Sequence, residues 1–119
     1  MAARFGLTLL LRDDANAIAE YRRAHADAWP ETVTALRRIG VTEMRIFLLG
    51  RRMFMYMEAV DGFDPGRDFE RANDDPRYQE WVDWMATLQE RAPEAAPGEW
   101  WAKMELVYDL NWPQYARIR

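Results

Sequence analysis

Residues 53–57 read Met-Phe-Met-Tyr-Met, apolar or aromatic at every position. Successive side chains of a strand point to opposite faces. Met53, Met55 and Met57 therefore line one side of a sheet, and Phe54 and Tyr56 the other. A sheet that is apolar on both sides needs a cover on each. Helices of the same chain can supply one. An identical sheet from another subunit is the simplest second cover, so the chain is expected to form a homodimer.

The rest of the pattern gives the order of elements. Arg4 to Leu11 alternates as a strand, with Phe5, Leu7, Leu9 and Leu11 on one face. Asp13 and Asp14 are N-cap candidates for a helix from about Ala15 that carries Ile18, Tyr21, His25 and Trp29. Pro30 either kinks that helix or opens a second one ending before Gly40. Met44 to Leu49 and Met53 to Val60 flank Gly50-Arg51-Arg52 as a hairpin. Gly62, Pro65 and Gly66 mark a loop before a short helical stretch over Arg67 to Ala72. Asp75-Pro76 reads as cap and first-turn proline of a helix to about Glu90, with Tyr78, Trp81, Met85 and Leu88 on its buried stripe. Pro93 to Gly98 is loop, and Trp100 to Asp109 alternates as a last strand. Strand, helix, strand, strand, helix, strand is the ferredoxin-like βαββαβ order of an α+β domain. Its helices cover one face of a four-stranded antiparallel sheet, and two such sheets face to face make a dimeric α/β barrel.

Length and composition narrow the chemistry. The 119 residues suit a single domain, and the absence of cysteine removes disulfides, thiolate metal sites and cysteine nucleophiles. One histidine makes the common zinc and iron ligand sets hard to assemble, so no metal is expected. A net charge of −4 has the wrong sign for nucleic acid. The run Leu9-Leu10-Leu11 is too short for a signal core or a membrane span, which leaves a soluble, cytoplasmic protein as the expectation. Six tryptophans and seven methionines exceed what a small core usually carries, so some should line a pocket or an interface.

Tyr21, His25 and Trp29 recur at four-residue spacing, which stacks side chains on one face of a helix. His25 is the one side chain able to give and take a proton near neutrality. Tyr21 could orient it or bind a ligand. The alternative is an aromatic wedge of core under Pro30, and for Trp29 alone that is the better account. Trp81, Trp84, Trp100 and Trp101 could be core or could stack on a sugar or aromatic ring. Glu31, Glu43, Glu58 and Glu105 are scattered, with no paired spacing of the glycosidase kind. No phosphate-loop, dinucleotide or serine-hydrolase motif occurs. Interconversion of sugar anomers needs only one acid–base group in a shaped pocket, because ring opening already proceeds slowly in water.

The run Tyr21-Arg22-Arg23-Ala24-His25, followed by Trp29-Pro30-Glu31, resembles the signature of the L-rhamnose mutarotase family, which includes relatives acting on L-fucose. The likeness continues through Gly40, Ile46-Phe47-Leu48, Gln79-Glu80-Trp81 with Met85, and Met104 to Tyr108, in order from about residue 4 to 110. It implies a dimer of ferredoxin-like subunits, a domain over 1–110 with a tail over 111–119, and no cofactor. It also implies His25 as proton donor, with Tyr21 and Trp81 contacting substrate. Two positions depart from the family: Met44 where a tyrosine is common, and Val82 where a second tryptophan is. The expectation is an isomerase, a cofactor-independent mutarotase for a 6-deoxy-L-hexose. The alternatives are a non-catalytic sugar-binding protein on the same scaffold, or a cofactor-free oxygenase or cyclase of the dimeric α/β barrel type.

Overall fold

A computed structural model describes residues 2–118. Met1 and Arg119, the outer ends of the expected domain and tail, lie outside the described residues. Strand β1 (Ala3–Leu11) is central in an antiparallel sheet, between β3 (Arg52–Ala59) and an edge built from β4 (Gln89–Glu90) and β5 (Ala102–Met104). Strand β2 (Val41–Leu49) pairs with β3 on the far side. The order β2-β3-β1-β4 is that of a ferredoxin-like α+β fold. Among the described residues no helix is long and apolar enough to cross a membrane.

Local chemistry sets the helix ends. Asp14 caps α1 (Ala15–Ala26) by accepting from the Asn16 amide at 2.9 Å. Pro30 does not kink α1; it is the first residue of a separate helix, α2 (Pro30–Arg38). Proline disfavours the helical conformation in the residue before it. Trp29 is accordingly extended, at φ −62° and ψ 137°. The short helix α3 (Pro65–Ala72) starts two residues before the expected Arg67, because Asp64 caps it and Pro65 fits its first turn. Asp75 and Pro76 play the same roles for α4 (Pro76–Leu88).

All four helices lie over one face of the sheet, where Leu7, Leu9, Leu11, Met53, Met55 and Met57 form the core with α4's Trp81, Met85 and Leu88. Each such side chain contributes about 1.5–3 kcal/mol on burial. The opposite face is mixed. Phe47 and Phe54 stack there with ring centroids 6.1 Å apart and are 56% and 38% exposed. Around them lie Arg4, Glu43, Arg45 and Glu58, and Tyr56 donates its hydroxyl to Glu58 at 2.8 Å. The second face is therefore an apolar band inside a charged rim.

The last strand differs most from expectation. Trp100 to Asp109 is not one strand: only Ala102–Met104 pair with β1, and the chain leaves the sheet after Met104. The edge is also split, because residues 91–101 loop out between β4 and β5. Arg91 ties that loop by donating to the carbonyls of Ala95, Ala96 and Glu99, and Trp100 Nε1 closes its base on Gln89 Oε1 at 2.8 Å. The alternation itself survives, since Met104 pairs with Gly6 and Lys103 with Leu7. The tail forms a single 3-10 turn at Pro113–Tyr115, packed among Tyr108 and Trp112.

Gly40 turns the chain into β2 at φ 110°, and a Cβ there would come within 2.6 Å of Val60 Cγ2. Gly62 also has positive φ, 81°, but open space around it. Gly62→Ala should therefore cost about 1–2 kcal/mol from backbone strain alone. Gly40→Ala should cost a further ~1–3 kcal/mol from overpacking. Urea unfolding of the two variants measures the difference, and equal losses would contradict this account of the turn.

Candidate active site

Tyr21 and His25 lie one turn apart on α1, with rings stacked at a centroid distance of 4.0 Å and 23° between planes. Trp81, from the buried stripe of α4, meets the His25 ring edge-on at 5.2 Å. Two helices thus bring together the three residues singled out from the sequence. All three line a cavity of about 640 Å³ between the helices and the sheet.

Trp29 does not join them at the cavity. Helix α1 ends at Ala26, so the four-residue stripe breaks before reaching it. Its ring instead packs on Trp81 and Trp84 at 5.3 and 5.5 Å, under the Arg77 guanidinium 3.5 Å from its centroid. Trp84 anchors the group by donating its indole N–H to Glu20 at 2.6 Å. Trp29 and Trp84 are therefore a buttress behind Trp81. Trp100 and Trp101 do line the cavity, as do Met44 and Val82.

His25 Nδ1 lies 3.0 Å from the carbonyl oxygen of Tyr21. A carbonyl can only accept, so Nδ1 carries the hydrogen and Nε2 keeps its lone pair. Nε2 has no protein partner among the described residues. Burial lowers the imidazole pKa below its ordinary value, and the contact with the Tyr21 carbonyl opposes part of that shift. The ring is thus neutral at pH 7, with a free base at the cavity wall. Burial raises the Tyr21 phenol, and the neighbouring Gln89 side chain offsets some of the rise. Tyr21 accordingly keeps its proton.

Sequence reasoning gave no functional role to two other hydroxyl-bearing residues that line the cavity. Thr32 Oγ1 is buried without a hydrogen-bond partner. Threonine in a helix usually bonds the carbonyl four residues back, but here that residue, Ala28, precedes the extended Trp29 and lies outside the helix. The spacing of Thr32 with Ala35, Leu36 and Ile39 puts a hydroxyl in an apolar stripe, a signal visible in the sequence. Tyr78 is buried one turn before Trp81, and burial pushes its phenol up to about 12. Near one rim, Asp64, Pro65 and Gly66 are fixed by the buried Asp68, whose carboxylate accepts from Arg67, Arg71 and the Asp64 amide. Those partners, Arg67 foremost, hold Asp68 well below the usual carboxylate range. Among the described residues no three His, Asp or Glu side chains converge on a metal position.

Comparison with known proteins agrees over nearly the whole chain. The family model for L-rhamnose mutarotase matches residues 4–110. A UPF0734 protein of Dictyostelium discoideum is 42% identical over 112 residues, covering 91% of this chain and 90% of the relative. The L-fucose mutarotase of Xanthomonas campestris is 37% identical over 110 residues, covering 91% and 88%. The crystal structure of L-rhamnose mutarotase from Formosa agariphila covers 90% of this chain and 97% of its own, with a TM-score of 0.65 at 20% identity. That last likeness is one of fold.

Because His25 is the only histidine, its Cε1 proton gives an unambiguous NMR titration. The midpoint should fall below about 6.5, the value of a free imidazole. The sign for stability follows. Between the lowered folded pKa and ~6.5 the unfolded chain binds more protons, so stability falls as pH drops through that window. His25→Gln should flatten that part of the pH dependence of urea unfolding. A midpoint above 6.5 would place the imidazole in a different environment from the one described.

Proposed function

The chain belongs to the L-rhamnose mutarotase family, and we propose that it interconverts the α and β anomers of a 6-deoxy-L-hexose of the L-rhamnose or L-fucose type without a cofactor. Family membership makes the chain a sugar mutarotase, an isomerase. The particular sugar, the roles of the residues and the path of the proton are the proposal. The observation that carries it is an imidazole at a cavity wall, held through Nδ1 with Nε2 free, beside Tyr21 and Trp81.

In this mechanism Nε2 takes the proton from O1–H of the bound pyranose. The C1–O5 bond breaks as the imidazolium delivers that proton to O5, giving the open-chain aldehyde. Rotation about C1–C2 presents the other carbonyl face, and reclosure reverses the transfers. The imidazolium formed on the way is stabilised by its Nδ1–H bond to the Tyr21 carbonyl. Tyr21, kept protonated by burial, can donate to an oxygen of the ring. Trp81 offers an indole for the C–H side of the sugar. Domain 1–110 would carry all of this, with 111–119 an appended tail, in a soluble cytoplasmic enzyme.

One observation favours a second reading. A 6-deoxyhexose has eleven non-hydrogen atoms, and at no more than about 30 Å³ each, water's share of the liquid, it fills at most roughly 330 Å³. The cavity is about 640 Å³, and Leu36, Met44, Ile46, Phe69 and Val82 make much of its wall apolar. A larger aromatic substrate of the oxygenase or cyclase kind would use that space. Saturation-transfer NMR of anomer exchange decides between them. Wild type should accelerate exchange of L-rhamnose or L-fucose, and His25→Ala should lose roughly 10²–10⁴-fold. No acceleration of either sugar or of related sugars, or an unimpaired His25→Ala, would sink the mutarotase mechanism. Tight sugar binding with no acceleration would mark a binding protein instead.

A homodimer is part of the same proposal. It is supported by the exposed Phe47–Phe54 band and by the run Met104, Leu106, Val107, Tyr108 and Leu110, all exposed in a single subunit. Light scattering should give twice the subunit mass, and Phe47→Asp should shift it toward one subunit. A wild-type protein that runs as a single subunit at tens of micromolar would refute the dimer.

A further inference from the structure

The cavity's polar lining includes the exposed Glu70, Asn73 and Lys103, while the buried polar side chains in it are few. At Met44 and Val82 the wall presents a thioether, only a weak acceptor, and an isopropyl group, which is none. Gln89 Oε1 is committed to Trp100. Thr32 Oγ1 is sealed from solvent, and it is the sole side-chain oxygen or nitrogen among the described residues that is both sealed and unpartnered. Tyr78 is different. The residue is 7% exposed and lines the cavity, and its hydroxyl makes no hydrogen bond among the described residues, yet that hydroxyl is not sealed. An uncommitted phenol on the wall of a largely apolar cavity has water or a ligand as its partner.

The helix sets where that phenol lies relative to the imidazole. Tyr78 precedes Trp81 by three residues, so both occupy the cavity side of α4, with Cα atoms about 4.5 Å apart along its axis. His25 touches Trp81 at 5.2 Å. Tyr78 packs in the core cluster of Ala35 and Ile39 and Trp81 in that of Tyr21 and Leu9, so a ring lying against Trp81 with its anomeric carbon at His25 has Tyr78 within reach of hydroxyls remote from C1. The phenol is protonated at any working pH, being pushed up to about 12 by burial, so it can donate as well as accept.

We infer that Tyr78 is a substrate-binding residue that hydrogen-bonds a sugar hydroxyl on the side of the ring away from C1, and so helps set which sugar is accepted. The inference rests on the mutarotase reading for the identity of the ligand as a sugar. Nothing in the hydroxyl's surroundings gives it a structural task, while the ring of Tyr78 packs in the core with Ala35, Ile39, Phe63 and Ala72. Tyr78→Phe keeps that packing and deletes only the oxygen, so it should unfold at nearly the wild-type temperature.

The test compares wild type and Tyr78→Phe on L-rhamnose, on L-fucose, and on the 3-deoxy and 4-deoxy analogues of whichever sugar wild type exchanges faster. KM for the parent sugar should rise about 5–10-fold in Tyr78→Phe, the range of one lost neutral hydrogen bond, with kcat changing far less. For one of the two deoxy analogues the variants should become equivalent, because the partner hydroxyl is already missing. A role in packing alone would shift the melting temperature and leave that selectivity unmoved. Unchanged KM for the parent sugar, or an equal loss for all sugars, overturns the inference while leaving the mutarotase reading intact. A wild type that neither binds nor exchanges any of the sugars brings both down together.

Discussion

The hydrogen bond from His25 Nδ1 to the Tyr21 carbonyl decides which nitrogen of the imidazole is left free, and the site is arranged around that choice. It exists because two residues stand four apart in an uninterrupted helix, where side chain and backbone carbonyl come into reach. The same spacing stacks the phenol on the imidazole. Burial then keeps the ring neutral, so the lone pair is present at the cavity wall rather than lost to a proton. Each link is weak on its own. Together they give an otherwise ordinary histidine a fixed tautomer, a fixed orientation and a basic nitrogen facing a space large enough for a ligand.

That arrangement depends in turn on Trp81 staying where it is. An indole on a cavity wall lacks neighbours on one side and forfeits dispersion contacts there. Trp29 and Trp84 restore them from behind, within 5.6 Å of its centroid in edge-on geometry. Arg77 covers Trp29 and is itself held by Glu31 and Glu80, while Glu20 takes the Trp84 N–H. The buttress therefore links α1, the start of α2 and α4, the three segments that carry Tyr21, Thr32 and Tyr78. Loosening it should blur the geometry of the site without touching a cavity-lining atom of Tyr21 or His25.

Much of this was legible in the residues. The Met53–Met57 alternation, the Asp14 cap and the Asp75-Pro76 start all appear in the structure as local chemistry dictates, because each is decided within a few residues. Tyr21 and His25 were legible for the same reason. Trp29 shows the limit of periodicity. Pro30 makes Trp29 extended, and the stripe that looks continuous in the sequence ends at Ala26. The last strand is shorter than its alternation suggests, because its length is decided by non-local partners. Arg91 folds residues 91–101 out of the edge, and beyond Met104 the chain departs from β1. Tyr78 looked like one more core residue at helical spacing. That its hydroxyl is uncommitted depends on what α2, α3 and the sheet present to it, which no local pattern records.

The edge of β1 bears on assembly. On the side of β4 and β5, β1 has ladder partners only at residues 6–8 and 10–11 among the described residues. Its first residues, Ala3 to Phe5, present open backbone there, and unpaired edges invite another chain. Immediately beside that opening, the chain after Met104 leaves the sheet with Leu106 65%, Val107 75% and Leu110 70% exposed. A stretch of that composition gains nothing from water, and nothing in its own subunit covers it. Across the outer face, Phe47 and Phe54 stand in the same position. An open edge and an uncovered apolar stretch at the β4 and β5 side of β1, and an uncovered aromatic band on β2 and β3, are three surfaces left without a partner. In the proposed homodimer a second copy related by a two-fold axis would present the same surfaces in return.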